Sequence, residues 1–131
     1  MRKTRRVVIT GLGVVAPNGI GKQAFWESLV AGKSGVDWIT AFDASSYPCK
    51  VAAEVKDFRP EDFMKRRQAK DLWRFTQFAV AAGRMALEDS KLEINSLNSE
   101  RTGVCFGTCV GGFEKIEASY ESVKSLGYSS L

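Results

Sequence analysis

The order of hydrophobic patterns along this chain predicts an α/β fold. Three observations carry that prediction. Two short runs bounded by glycine, Val7-Val8-Ile9-Thr10 and Thr102-Gly103-Val104-Cys105-Phe106-Gly107, have the β-branched and apolar character of buried strands. A long apolar stripe at helical spacing lies between them. A glycine-rich turn and a further helical pattern follow each run.

Each element has its own signal. Gly11 to Gly21 holds four glycines with Pro17 and Asn18, which reads as a loop. Lys22 to Ala31 carries Phe25, Leu29 and Val30 at helical spacing, with Gly32 placed to end the helix. Residues 33–60 look irregular, and Val51-Ala52-Ala53-Glu54-Val55 is the best short strand among them. Arg67 to Asp89 is the strongest helix. Leu72, Phe75, Ala79, Ala82, Ala86 and Leu87 form its stripe, and Trp73, Phe78 and Met85 widen it. A helix apolar around so much of its circumference belongs inside a larger body. Residues 90–101 read as a polar surface connection, and Thr108 to Gly112 as a tight turn. Phe113, Ile116, Tyr120 and Val123 then mark an amphipathic helix, and the chain reaches Ser129-Ser130-Leu131 without a terminating signal. So small a sheet beside such apolar helices is expected to be part of a larger layered structure.

Bulk properties exclude several functions. The chain has 131 residues, 44% hydrophobic and 26% charged, as in an ordinary globular protein. No apolar run approaches the roughly 20 residues that span a bilayer, and Phe75 to Leu87 is broken by Gln77, Gly83 and Arg84. The basic start is followed by only Val7-Val8-Ile9, too short for the core of a signal peptide, so a cytoplasmic location is expected. Cys49, Cys105 and Cys109 form no metal-binding pattern and read as reduced thiols. With no histidine in the chain, imidazole acid/base chemistry has no source here.

Three motifs are candidates for chemistry. Gly11-Leu12-Gly13-Val14-Val15-Ala16 matches a dinucleotide fingerprint. However, Pro17-Asn18-Gly19 would break the helix that must begin inside such a motif, so the glycines are better read as serving a tight loop. Lys65, Arg66, Arg67, Lys70 and Arg74 cluster at the start of the long helix, which fits either a solvated face or a dock for an acidic partner. The cluster is too short, and too poor in interleaved aromatics, for nucleic acid. Gly107-Thr108-Cys109-Val110-Gly111-Gly112 is a glycine turn at a strand end, where open α/β sheets place ligands, or else an ordinary strand–helix turn. Cys109 has no histidine to activate it and is not assigned as a nucleophile.

The ordered set of segments resembles one family. Residues Val7 through Gly19 look like the opening of β-ketoacyl-(acyl carrier protein) synthases of the elongating, type II kind. Phe25-Trp26-Glu27-Ser28-Leu29-Val30-Ala31-Gly32-Lys33-Ser34-Gly35-Val36 is similar to the family's first helix and the following turn. Phe42-Asp43, Val55-Lys56-Asp57-Phe58, Arg74 through Ala82, Gly103-Val104 and Gly107 through Gly112 match in the same order.

The resemblance implies a thiolase-like fold, with residues 1–131 as the first part of its N-terminal half, in a homodimer that acts on neither membrane nor nucleic acid. It implies decarboxylative Claisen condensation of acyl and malonyl thioesters carried by acyl carrier protein, in fatty-acid or polyketide synthesis. That chemistry uses a cysteine and two histidines, with no metal or organic cofactor. In the family all three residues lie beyond the segments matched here, so the 131 residues alone are expected to be inactive. By the same resemblance Val110 gates the acyl pocket within the turn Gly107, Thr108, Cys109, Gly111 and Gly112. Lys65, Arg66, Arg67, Lys70 and Arg74 fall where the acidic carrier protein docks, with Arg67 and Lys70 matching best. Asp71 and Trp73 depart from the residues usual there, basic or neutral at the first and acidic at the second. A non-catalytic chain-length-factor partner and a stand-alone carrier-binding module are the alternatives.

Overall fold

The computed structural model describes residues 5–127. The first four residues of the basic start and the last four residues of the chain lie outside them. In order, β1 (Val15–Ala16) and β2 (Gly19–Ile20) form a small antiparallel hairpin, followed by α1 (Lys22–Val30). A second antiparallel pair joins β3 (Asp37–Trp38) to β4 (Val51–Ala52). Then come a 3-10 turn at Pro60–Asp62, α2 (Arg66–Asp71), α3 (Arg74–Ser90), a second 3-10 turn at Ser99–Arg101, and α4 (Phe113–Leu126).

The helix ends follow local chemistry. α1 stops where the sequence predicts, with Gly32 at φ 64° just beyond Ala31. The Gly32 amide donates to the Leu29 carbonyl at 3.0 Å and the Lys33 amide to that of Ser28 at 2.8 Å. This Schellman arrangement satisfies carbonyls that α1 leaves open. The expected single helix from Arg67 to Asp89 is instead two. Leu72 and Trp73 are extended (ψ 143° and 156°), and the Gln77 side-chain amide donates to the carbonyls of Ala69 at 2.7 Å and Leu72 at 3.1 Å. A side-chain donor thus replaces the backbone donors that a continuous helix would have offered. Hydrophobic periodicity runs through this corner unbroken, which is why the stripe alone misses it.

α3 is the spine of the molecule. The segment 11–13 crosses it so closely that a Cβ at Gly11 would meet the Ala86 carbonyl oxygen and Ser90, and one at Gly13 the Ala82 carbonyl oxygen. The two glycines therefore serve backbone-to-backbone approach. Asp89 fastens the crossing, accepting from the Leu12 amide at 3.0 Å and pairing with Lys22. On the other side, Phe58 stacks on Phe63 (centroids 5.6 Å apart) and meets Phe78 edge-on at 4.9 Å. Ala44, Phe58, Met64, Ala69 and Ala81 are the buried hydrophobic residues.

Two expected strands are not formed. Val7–Thr10 and Thr102–Gly107 join no ladder among the described residues. A strand exists only when a neighbour answers its N–H and C=O groups, and no described segment is hydrogen-bonded alongside either run. Apart from Phe106, whose ring lies against Gly83 of α3, their large side chains stand mostly in solvent: Val7 is 91% exposed, Ile9 83% and Val104 83%. The expected strand at Val51–Val55 shortens to Val51–Ala52. The accessible surface is 11310 Å², whereas size scaling gives roughly 6,800 Å² for a compact monomer of this mass. The 131-residue chain on its own is therefore expected to bind a hydrophobic dye and to melt broadly. A sharp transition of a monodisperse monomer that leaves the dye dark would contradict this.

Acid should loosen the same scaffold. Lys22 and the Leu12 amide hold the Asp89 carboxyl below its usual range, and the Thr40 hydroxyl, with the amides of Thr40 and Ala41, does the same for Glu54. A carboxyl with a folded pKa below its unfolded value stabilises at pH above the unfolded value, and that contribution is lost as pH falls through the folded one. Protection of the Leu12 amide from hydrogen exchange should therefore decline below about pH 4. In Asp89→Asn it should be weaker and without that step.

Candidate functional site

The corner between α2 and α3 brings together the two sequence motifs of interest. A cleft of about 550 Å³ is lined by Lys70, Leu72, Trp73 and Arg74 from the corner and by Val110 and Phe113 from the glycine turn and the start of α4. Asp71 and Phe75 also line the corner side, so that wall mixes charged and aromatic residues, and the other is apolar. Val110 is 62% exposed, so its side chain is available as cleft wall rather than spent in a core.

The glycine turn is seated on aromatic rings. Gly112 has φ 76°, and a Cβ there would fall within the Trp73 ring. A Cβ at Gly111 would stand 2.7 Å from ring carbons of Phe75. Trp73 and Phe75 meet edge-to-face at 5.9 Å, a favourable aromatic geometry. The Ile116 amide donates to the Gly112 carbonyl at 3.2 Å, so α4 starts directly from the turn. Gly107, Thr108 and Cys109 are exposed, and a Cβ at Gly107 would meet open space.

The basic residues divide into two kinds. Lys65, Arg66, Arg67 and Lys70 are exposed and join no ion pair among the described residues. Arg74 is exposed too, but is engaged within the chain. It donates to the Val55 carbonyl at 2.6 Å and lies 5.0 Å over the Phe78 ring and 5.9 Å over Phe58. Its guanidinium therefore braces the corner from beneath, by cation–π contact and a charge-assisted hydrogen bond.

A family model described as the beta-ketoacyl synthase N-terminal domain matches residues 4–130. The chain belongs to the β-ketoacyl synthase family. Among similar curated proteins, the 3-oxoacyl-[acyl-carrier-protein] synthase 2 of Coxiella burnetii is 49% identical over 123 residues, covering 94% of this chain and 30% of that protein. The protein of the same name from Synechocystis is 45% identical, covering 86% of this chain and 27% of its own length. The chain thus spans about 30% of the length of the curated relatives it matches.

Solved structures agree on the architecture. An ishigamide ketosynthase/chain length factor superposes with a TM-score of 0.77 at 34% identity, covering 94% of this chain and 30% of that one. A ketosynthase of a type II PKS, solved with its acyl-carrier protein and bound to the hexaketide, gives 0.76 at 24% identity, covering 98% of this chain and 33% of that one. The fold is thiolase-like, as the resemblance implied.

For this β-ketoacyl synthase chain the fingerprint-like glycines have a structural explanation. α1 begins only at Lys22, and Gly11 and Gly13 are packed on α3, where a pyrophosphate would need open space. No helix among the described residues is long and apolar enough to cross a membrane. Sequence reasoning did not place Trp73 and Phe75 at the glycine turn. Adjacent Gly111 and Gly112 were the available signal, since glycine pairs mark close approach by something bulky.

Proposed function

We propose that this chain supplies scaffold, acyl-pocket wall and carrier-protein dock to a 3-oxoacyl-ACP synthase. The observation that carries this reading is the cleft in which Val110 faces the cationic corner of Lys70, in a chain of this family. The carrier's acidic surface would settle on Lys65, Arg66, Arg67 and Lys70, whose charges are exposed and uncommitted to ion pairs among the described residues. The acyl chain would lie against Val110.

The reaction has two stages. A cysteine thiolate attacks the acyl thioester; the bond to the carrier's sulfur breaks and the carrier leaves as a thiol. Malonyl thioester then loses carbon dioxide, and the electron pair left on its α-carbon attacks the enzyme-bound thioester, forming a carbon–carbon bond and expelling the cysteine sulfur. Histidines serve decarboxylation and oxyanion stabilisation, and this chain has none. Its part is to bind and orient, and the 131 residues alone would be inactive. The complete enzyme would be a cytoplasmic homodimer.

The test is intact-mass analysis of a full-length protein carrying this sequence, incubated with acyl-carrier protein. Gain of one acyl group, released as 3-oxoacyl product once malonyl-carrier protein is added, is the expected result. Carrier binding without an acyl adduct would instead support a non-catalytic chain-length-factor partner. The likeness to a ketosynthase/chain length factor structure keeps that second reading open.

A further inference from the structure

We propose that Trp73, backed by Phe75, is a positioning residue that sets the depth of the acyl pocket by clamping the Val110 turn against the α2–α3 corner. The inference rests on the reading of Val110 as pocket wall. Trp73 lies in the corner between Lys70 of α2 and the first residues of α3, with its ring pressed on Gly112. Phe75, from the first turn of α3, presses on Gly111. Two rings from the corner thus hold two successive residues of the turn, immediately after Val110.

On either side of the turn, the Phe106 ring lies against Gly83 of α3 and α4 continues from Gly112. Gly103 and Gly107 face open space, and Thr102–Gly107 joins no ladder among the described residues. The clamp is the packed contact that adjoins Val110 in the chain. A displacement of the corner, such as a bound carrier protein would impose at Lys70, has a direct packed route to the pocket wall through Trp73. The route is ring packed against backbone, and close-packed contacts transmit displacement.

Removing the ring should let the turn retreat and deepen the pocket. One methylene of pocket length changes discrimination by about tenfold or more. In the full-length enzyme, Trp73→Ala is expected to raise kcat/KM for chains longer than the preferred one by about tenfold relative to the preferred chain. Trp73→Phe, which keeps a ring on Gly112, should restore the original preference. Gly111→Ala is an independent variant, because its methyl would push Phe75 aside and disturb the same seat. It should also alter the chain-length profile.

The outcomes separate the clamp from the reading beneath it. If Trp73→Ala and Gly111→Ala leave the profile unchanged while Val110→Trp shortens it, the clamp is wrong and the pocket reading stands. If none of the three moves it, both are wrong. If Trp73→Ala and Trp73→Phe change kcat equally for every chain length, Trp73 is merely structural and the clamp is likewise overturned.

Discussion

Replacing Val110 by tryptophan in a full-length β-ketoacyl synthase bearing this sequence is expected to abolish use of the longest acyl chains while sparing short ones. The side chain lines the cleft and is 62% exposed, so an indole there grows into the cavity rather than into a packed core. Filling a pocket by even one methylene costs roughly 1–3 kcal/mol of discrimination, about tenfold to two-hundredfold in kcat/KM, and an indole removes more depth than that. Competition between long and short acyl-carrier substrates measures the ratio directly. An unchanged ratio would mean that Val110 is not the gate.

Reversing the charges of Arg67 and Lys70 together should weaken carrier docking and leave small thioesters nearly unaffected. An exposed ion pair contributes about 0.2–1 kcal/mol, and reversal replaces that attraction with a repulsion of similar size. Two reversals therefore amount to roughly 1–4 kcal/mol, about fivefold or more in KM for acyl-carrier protein at low salt. The effect should shrink as salt screens the exposed charges. Equal changes for the carrier-bound and small substrates would remove docking as the explanation. Arg74 serves as the contrast. Its guanidinium binds the Val55 carbonyl and covers Phe78, so its reversal should lower thermal stability.

The helices were legible in the sequence because their signals are local. Phe25, Leu29 and Val30 with Gly32 specify α1, and Phe113, Ile116, Tyr120 and Val123 specify α4. The strands were not, because Val7–Thr10 and Thr102–Gly107 carry β propensity but no ladder partner among the described residues, and pairing is a property of two segments. The corner at Leu72–Trp73 was hidden for a related reason. The carbonyls left open there are satisfied by the amide of Gln77, five residues beyond Leu72, whereas the apolar stripe runs on through the break.

For the candidate site, residue type and order along the chain were enough to establish the family, the basic cluster and the glycine turn bearing Val110. These depend on which side chains are present and how they are spaced. Only the tertiary structure decided that Lys70 and the turn share one cleft, that Arg74 braces the corner through Val55 and Phe78, and that Trp73 and Phe75 seat Gly112 and Gly111. Those are contacts between segments roughly twenty to forty residues apart, which no local periodicity encodes.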